Sequence, residues 1–467
     1  MDIDRVAIIG AGPCGLAAAK SRYMAAERKF KTITVFEQRD QPGGIWNYTG
    51  DEGTASSPIP NATPSQVAVA VDGTFASPVY DSLETNIPNS LMQFCEFPFP
   101  SGTALFPTHR VVKGYLHRYA EELRPLMRLH SQVLDISLSR SPKVEWTVTW
   151  RDIKSDKVST ARFDGVVVAN GHYNEPNIPA IPGLEEWNRR YPGSILHSSV
   201  YRRAEPFTNK KVIVVGHSAS GIDIAAQISQ VSKHPLLISE RTATSTPKPT
   251  IQAPVSKPIP EITHLTPKTK TVHFATSLNE SESDIDHIIF CTGYHFSTPF
   301  LSSLSPPVVT DGSRPNALFK HVFYTPEPTL AFIGTPQRIV PFPFSQAQSA
   351  WVARVFAGRV SLPPFAEMGQ WIADWRSSRG GSNSLAFPLD AEYINSLYGI
   401  SMGAARKEGL ENDGRGKEPP FWGEREKWMR ERFPDIKKAS QMLGERRRDV
   451  TTLEELGFCF DREKANL

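Results

Sequence analysis

The chain has 467 residues, 22% of them charged and 39% hydrophobic, and a formal net charge of +3, the make-up of an ordinary globular protein large enough for two or three domains. Such a near-balance of charge excludes a protein built to hold nucleic acid or an anionic membrane surface, and no apolar run reaches the ~18 residues of a membrane span. Cys14, Cys95, Cys291 and Cys459 form no C-x-x-C pair and share no metal spacing with histidines, which excludes a dithiol redox centre and a zinc site and predicts a reducing, cytoplasmic setting.

The first element is the apolar run Val6-Ala7-Ile8-Ile9. Asp2 and Asp4 before it, and the glycine turn after it, make it a strand rather than the core of a signal peptide. The turn is Gly10-Ala11-Gly12-Pro13-Cys14-Gly15, and a helix is predicted from Pro13 through Ala19 toward Arg28. Gly10 makes the turn, Gly12 admits a phosphate to the backbone, and Gly15 lets helix and strand pack, while the helix start points unpaired N–H groups at the anion. A second strand, Thr32 to Phe36, ends on Glu37, at the spacing of a ribose-binding acid. Gly43-Gly44, before Ile45-Trp46, predicts another close backbone approach. Residues 50–80 are rich in Pro, Ser, Thr and Gly and read as a surface insertion. The strand Val166 to Ala169 closes on Asn170-Gly171-His172, and Pro176, Pro179 and Pro182 mark a linker.

The pattern then repeats. Val212 to Val215 runs into Gly216-His217-Ser218-Ala219-Ser220-Gly221, with a helix from Ser220 to about Val231 and a strand from Pro235 to Ser239. Ser218 replaces the middle glycine, and its hydroxyl can donate to a phosphate. Arg241 stands where a ribose 2′-phosphate would lie and favours NADP, Glu240 beside it argues for NAD, and a plain surface charge is the competing reading of Arg241. Residues 243–270, rich in Pro, Thr and Lys, read as a surface excursion. The strand Ile285 to Phe290 leads to Cys291-Thr292-Gly293-Tyr294, Thr329 to Gly334 reads as a buried strand, and Gln346 to Gly358 as a helix. The last hundred or so residues are polar and helical and are expected to wrap the first unit. The fold class is therefore α/β, with two Rossmann-like dinucleotide-binding domains, the second inserted into the first: residues 1–172, 173–296 and 297–467. A chain that holds two dinucleotides at once usually moves electrons between them.

Four further segments carry a family resemblance. Tyr191-Pro192-Gly193-Ser194-Ile195-Leu196-His197-Ser198-Ser199-Val200-Tyr201 matches F-x-G-x-x-x-H-x-x-x-(F/Y) except for its first Tyr. Cys291-Thr292-Gly293-Tyr294 matches (A/C)-T-G-Y, and Thr85-Asn86-Ile87-Pro88 matches T-N-x-P. Phe342 to Gly358 is similar to a helix carrying E-x-Q and then W, with Gln346 in place of the acid and Gln348 and Trp351 matching. Asn170 stands where the usual A-T-G has Thr. On these residues the chain resembles the class B flavin-dependent monooxygenases, closest to the flavin-containing monooxygenases, in a soluble form similar to the fungal and yeast members.

The resemblance implies FAD in the first unit, on Gly10, Gly12, Gly15, Glu37, Gln38, Gly44, Trp46, Val133 and Gln348. It implies NADPH in the second, on Gly216, Ser218, Ser220, Gly221 and Arg241, with Gly193 and His197 of the signature beside it. It also implies a C(4a)-hydroperoxyflavin that oxygenates a soft nitrogen or sulfur nucleophile, Asn86 being the catalytic residue that orients it. Asn86 as a turn cap before Pro88, and His197 as an interior or linker histidine, remain open readings. The implied partners are a small nucleophile and dioxygen, with no nucleic acid and no membrane anchor, and a homodimer is left open. Two alternatives compete with N- or S-oxygenation. One is Baeyer–Villiger oxygenation of a ketone, against which Tyr201 stands because those enzymes carry Trp there. The other is a non-catalytic FAD/NADPH redox sensor.

Overall fold

The Arg5–Ile9 strand (β1) sits inside a seven-stranded sheet in this computed structural model. The structure describes residues 3–20, 30–50, 75–141, 143–240, 256–275 and 280–465. β1 leads through the glycine turn into the helix Pro13–Ala19 (α1), then the strands Thr32–Phe36 (β2), Met127–Arg128 (β3) and Gly165–Val168 (β4). β1 pairs in parallel with β2 and β4, Val6 opposite Ile33 on one side and Gly165 on the other. Alternation divides its side chains. Val6 and Ile8 enter a core shared with helices, while Ala7 and Ile9 enter another against the antiparallel strands Ser131–Ser139, Glu145–Asp152 and Val158–Phe163. Burial on both faces is why the run is apolar without a polar alternate.

The second sheet is wholly parallel. It comprises Ile195–His197 (β5), Val212–Val215 (β6), Leu236–Ser239 (β7), Ser256–Ile259 (β8) and His287–Phe290 (β9), in the order β8-β7-β6-β9-β5. The helix Ala219–Ile228 (α2) follows β6. The first sheet then resumes with Leu318–Phe319 (β10), Phe323–Tyr324 (β11) and Leu330–Phe332 (β12), in the order β10-β11-β12-β4-β1-β2-β3, so the second sheet is an insertion between β4 and β10. The two crossings between the sheets pair with each other, Tyr294 opposite Pro176 and His295 opposite Glu175.

Three expectations about elements are corrected. The helix predicted from Gln346 begins at Pro341 and runs to Phe356 (α3). Pro341 and Pro343 lie in its first turn, where an N–H would have no intrahelical acceptor, so neither proline delays it. The supposed surface excursion supplies β8 and buries Ile259, Ile262 and Leu265 in the second core; Pro258 is tolerated because β8 is an edge strand. Residues 51–74 of the supposed surface insertion lie outside the described residues, but Phe75, Val79 and Tyr80 at its end are buried, and Tyr80 sits in the core under α2.

The C-terminal helix Glu424–Met442 (α4) packs Met429 and Ile436 into the core that holds Val6 and Leu16, and so covers the first unit. Among the described residues no helix is long and apolar enough to cross a membrane.

Candidate cofactor and active site

The glycines of the first turn are glycines for different reasons. At Gly15 an added Cβ would stand 1.9 Å from the Gly10 carbonyl oxygen, and at Gly10, where φ is +101°, it would stand 2.7 Å from that of Ala169. Both are demanded by the fold. At Gly12 the nearest atom to such a Cβ is the Gly44 Cα at 3.6 Å, an ordinary contact, and the backbone (φ −72°, ψ −177°) is extended. Nothing in the protein requires glycine there. The bare backbone of Gly12 faces Gly44, which a hydrogen bond from Gly43 N–H to the Ala11 carbonyl (2.9 Å) holds in place. Gly44 itself is held to glycine by φ +58° and by the Gly12 Cα, 3.0 Å from where its Cβ would stand, so the two backbones meet, and the start of α1 beside them, with its unclaimed N–H groups, fits a pyrophosphate.

Glu37 follows β2 and is buried. One carboxylate oxygen accepts from Ala11 N–H (2.8 Å) and the other from Arg39 N–H (2.9 Å). Burial pushes its carboxyl above the usual range, opposed by those two amides and by the Arg39 guanidinium. Arg39 is buried as well, donating to the carbonyls of Phe75 and Ala76. It escaped the sequence reading because an arginine after a strand looks like surface charge. Gln38 is half-buried between them, and Trp46 rests half-buried on the helical core.

The second turn repeats the first. A Cβ on Gly221 would stand 2.0 Å from the Gly216 carbonyl oxygen, and one on Gly216 (φ +95°) would stand 2.8 Å from that of Cys291. Ser218 takes the place of Gly12, and Ser218 and Ser220 are exposed at the start of α2, open to an anion. Arg241 lies outside the described residues.

The signature segment and the linkers form one joint. His197 ends β5 and is 1% exposed. Its Nε2 donates to the Gly293 carbonyl (3.0 Å), and its Nδ1 accepts from Ser199 N–H (3.1 Å). Both nitrogens are spent within the joint, so His197 fastens the signature segment to the second linker; the linker reading prevails over proton transfer. Burial pushes its pKa down to about 4, and the same cause puts His321 at about 4. An unfolded chain takes up these protons below about 6.5, before the folded one does, so stability falls as pH drops from about 6.5 toward 4. His197→Gln is expected to flatten that slope by close to one proton's worth in thermal or urea unfolding across the window; an unchanged slope would show that His197 is already charged in the folded protein.

Gly193, expected beside the second dinucleotide, leads into β5. It is exposed, has φ +80°, and precedes β5 at the amino end of the second sheet, whereas the turn at Gly216 lies at the carboxyl end. Ligands of open α/β sheets sit beyond the carboxyl ends of the strands. Gly193 makes the turn into β5, at the end of the sheet opposite the Gly216 turn. Gln348 is fully buried in α3, its Oε1 accepting from Gly334 N–H (2.8 Å) and its Nε2 donating to Tyr393 (3.1 Å), so it holds the Gly334 turn. The Val133 side chain is buried beneath the first sheet, next to a bulge that leaves Leu134 exposed.

Asn86 is exposed, but the backbone around it is fastened. Thr85 Oγ1, not Asn86, closes the turn, by donating to the Ile87 carbonyl (2.9 Å). Lys437 of α4 donates from Nζ to the Thr85 carbonyl (2.8 Å), and Glu84 pairs with Arg447 (2.9 Å). Burial pulls the Lys437 pKa below the ordinary lysine range, opposed by Glu84 and Asp223. Asp223, on α2, accepts from Tyr80 and from Gln227 Nε2. Lys437 and Glu84 thus tie the Asn86 turn to α4. Beyond the carboxyl ends of β4 and β12 lies a cleft lined by Asn170, His172, Phe296 and Gly334, across which Asn170 Nδ2 donates to the Ser297 carbonyl (3.1 Å).

Two nested sheets, the first mixed and the second wholly parallel, each with a glycine-rich phosphate turn after a parallel strand, define a protein that binds two dinucleotides. The chain belongs to the flavin-binding monooxygenase-like family, whose model matches residues 3–246 and 258–409. Among its relatives is the flavin-containing monooxygenase FMO GS-OX-like 2 of Arabidopsis thaliana, 35% identical over 376 residues that cover 78% of this chain and 76% of that protein. FMO GS-OX3 of the same plant is 33% identical over 412 residues, 84% of this chain and 83% of the relative. The solved structure of S-allyl-L-cysteine S-oxygenase from Allium sativum superposes with a TM-score of 0.77 at 28% identity, covering 100% of this chain and 99% of that one. FAD and NADPH are the cofactors of this family.

Proposed function

We propose that this protein oxygenates a small molecule bearing a soft sulfur or nitrogen nucleophile, at the expense of NADPH and dioxygen. The observation that carries the reading is Gly12 at the start of α1, glycine where the protein itself has no need of it, in a chain of this family. The likeness to an S-oxygenase at full coverage favours sulfur over nitrogen.

The residues divide the work. Gly12, Gly44 and the start of α1 hold the flavin pyrophosphate, and Glu37 takes ribose hydroxyls with the acceptor capacity left after its two amides. Gln38, Trp46 and the Val133 backbone complete that site. Ser218, Ser220 and Arg241 hold the second dinucleotide, in a domain spanning residues 173–296 between two parts of the first, 1–172 and 297–467. When bound, the two cofactors supply the electrons and the activation of dioxygen. Asn86 presents its carboxamide N–H to the reacting oxygen, on a backbone kept in place by Lys437 and Glu84. His197 keeps the linkers together and so keeps bulk water from between the two units.

The test is to supply purified, flavin-loaded protein with NADPH, ¹⁸O-labelled dioxygen and a panel of thioethers, thiols and amines. One labelled oxygen atom in a sulfoxide, oxidised thiol or N-oxide product is expected. Release of hydrogen peroxide alone with every nucleophile would overturn the assignment, and a ketone converted to a labelled ester would transfer it to Baeyer–Villiger chemistry.

A further inference from the structure

The two glycine turns can be laid on each other residue by residue. Gly10 N–H donates to the Phe36 carbonyl at 2.8 Å, and Gly216 N–H donates to the Ser239 carbonyl at 2.9 Å. Phe36 and Ser239 are the last residues of β2 and β7, so the next residues, Glu37 and Glu240, are equivalent positions. Ala11 and His217 likewise both follow the first glycine of their turns. The carboxylates behave in parallel. Glu37 is held by the Ala11 amide, and Glu240 by His217, whose Nδ1 lies 2.6 Å from Glu240 Oε1. The second unit therefore carries an acid at the position that, in the first, serves a ribose with free hydroxyls. Such an acid accepts from the 2′-hydroxyl of an adenosine ribose and repels a 2′-phosphate, while an adjacent arginine does the reverse.

We propose that Glu240, held over the turn by His217, is a specificity-determining residue that lets this chain bind NADH comparably to NADPH. The inference rests on the second unit being the nicotinamide-dinucleotide site, as proposed above. His217 is the moderating partner. By engaging Glu240 it draws the carboxylate toward the turn, and so leaves a 2′-phosphate tolerated.

The test is calorimetric titration of flavin-loaded protein with NAD⁺ and with NADP⁺, read as the ratio of the two dissociation constants within each variant. The wild-type ratio is expected within about tenfold of unity. Glu240→Gln keeps the shape and a hydrogen bond to His217 but removes the charge, and is expected to raise preference for NADP⁺ by about tenfold. His217→Asn is expected to move preference toward NAD⁺, because the carboxylate is released. A wild-type preference for NADP⁺ beyond about a hundredfold, or a ratio unmoved by Glu240→Gln while both nucleotides still bind, would overturn this inference and leave the proposed function standing. If the wild type binds neither nucleotide, the assignment of the second unit falls, and this inference with it.

Discussion

Gly12→Ala is expected to give a folded protein that purifies without flavin, whereas Gly15→Ala fails to fold. Both changes add the same methyl group within one turn. At Gly15 it would overlap the Gly10 carbonyl oxygen at 1.9 Å, an atom tied into the sheet through its own residue, so backbone must move where β1 and α1 pack. Overpacking of a rigid site costs about 1–3 kcal/mol or more, a large part of a stability of about 5–15 kcal/mol. At Gly12 the methyl meets the protein only at 3.6 Å, and the backbone is one that alanine adopts freely. Replacing glycine by alanine at a helix N-cap costs about 1 kcal/mol or less. The methyl instead projects beside Gly44 at the start of α1, where a phosphate must come close to the backbone. Flavin absorbance per protein should fall about tenfold or more with little change in the circular dichroism spectrum. A yellow Gly12→Ala protein with stoichiometric flavin would remove the pyrophosphate from this turn.

Asn86→Ser and Lys437→Met are expected to share a phenotype: NADPH consumption continues, and the share of it that ends in oxygenated product falls severalfold, the balance appearing as hydrogen peroxide. Asn86→Ser shortens the side chain that meets the reacting oxygen. Lys437→Met leaves Asn86 in the sequence but strips its turn of a tether, since the Thr85 carbonyl loses its 2.8 Å donor. A buried acceptor left unpaired costs about 1–3 kcal/mol. Glu84, 3.8 Å from Lys437, keeps Arg447 as its partner, so the fold has a means of absorbing the change. Lys437→Arg should restore much of the yield by donating to the same carbonyl. A positional role also predicts faster hydrogen exchange in the peptide around residues 83–92 of Lys437→Met and not of Asn86→Ser. Equal product per NADPH in both variants and the wild type would move the orienting role away from Asn86. Loss of yield in Asn86→Ser alone would detach Lys437 from it.

Much of this molecule was legible along the chain because its signals are local. Thr32–Phe36 folds as read, because β-branched and aromatic residues fill it and Ile33, Val35 and Phe36 are buried. The glycine turns were legible because only glycine fits where helix and strand backbones nearly touch, as Gly15 and Gly221 do. α3 begins at Pro341, ahead of the Gln346 read from the pattern, because a first helical turn has no hydrogen bond for a proline to break. β8 was missed because its Pro and Lys are acceptable only on an edge strand, and an edge is a property of the finished sheet.

By itself, then, the order of residues determined two nucleotide turns, their nesting, the family and the identity of the acids after β2 and β7, all set by spacings of a few residues to a few tens. Only the tertiary structure decided which glycine is free of the protein's own demands, that Gly193 stands at the end of its sheet opposite the Gly216 turn, and that His197 and Gln348 hold the joint and the Gly334 turn. It alone joined Lys437 to Thr85 and His217 to Glu240. Those contacts bring together side chains from separate elements, some of them hundreds of residues apart, and such an encounter depends on how the layers pack, which no local pattern of residue types encodes.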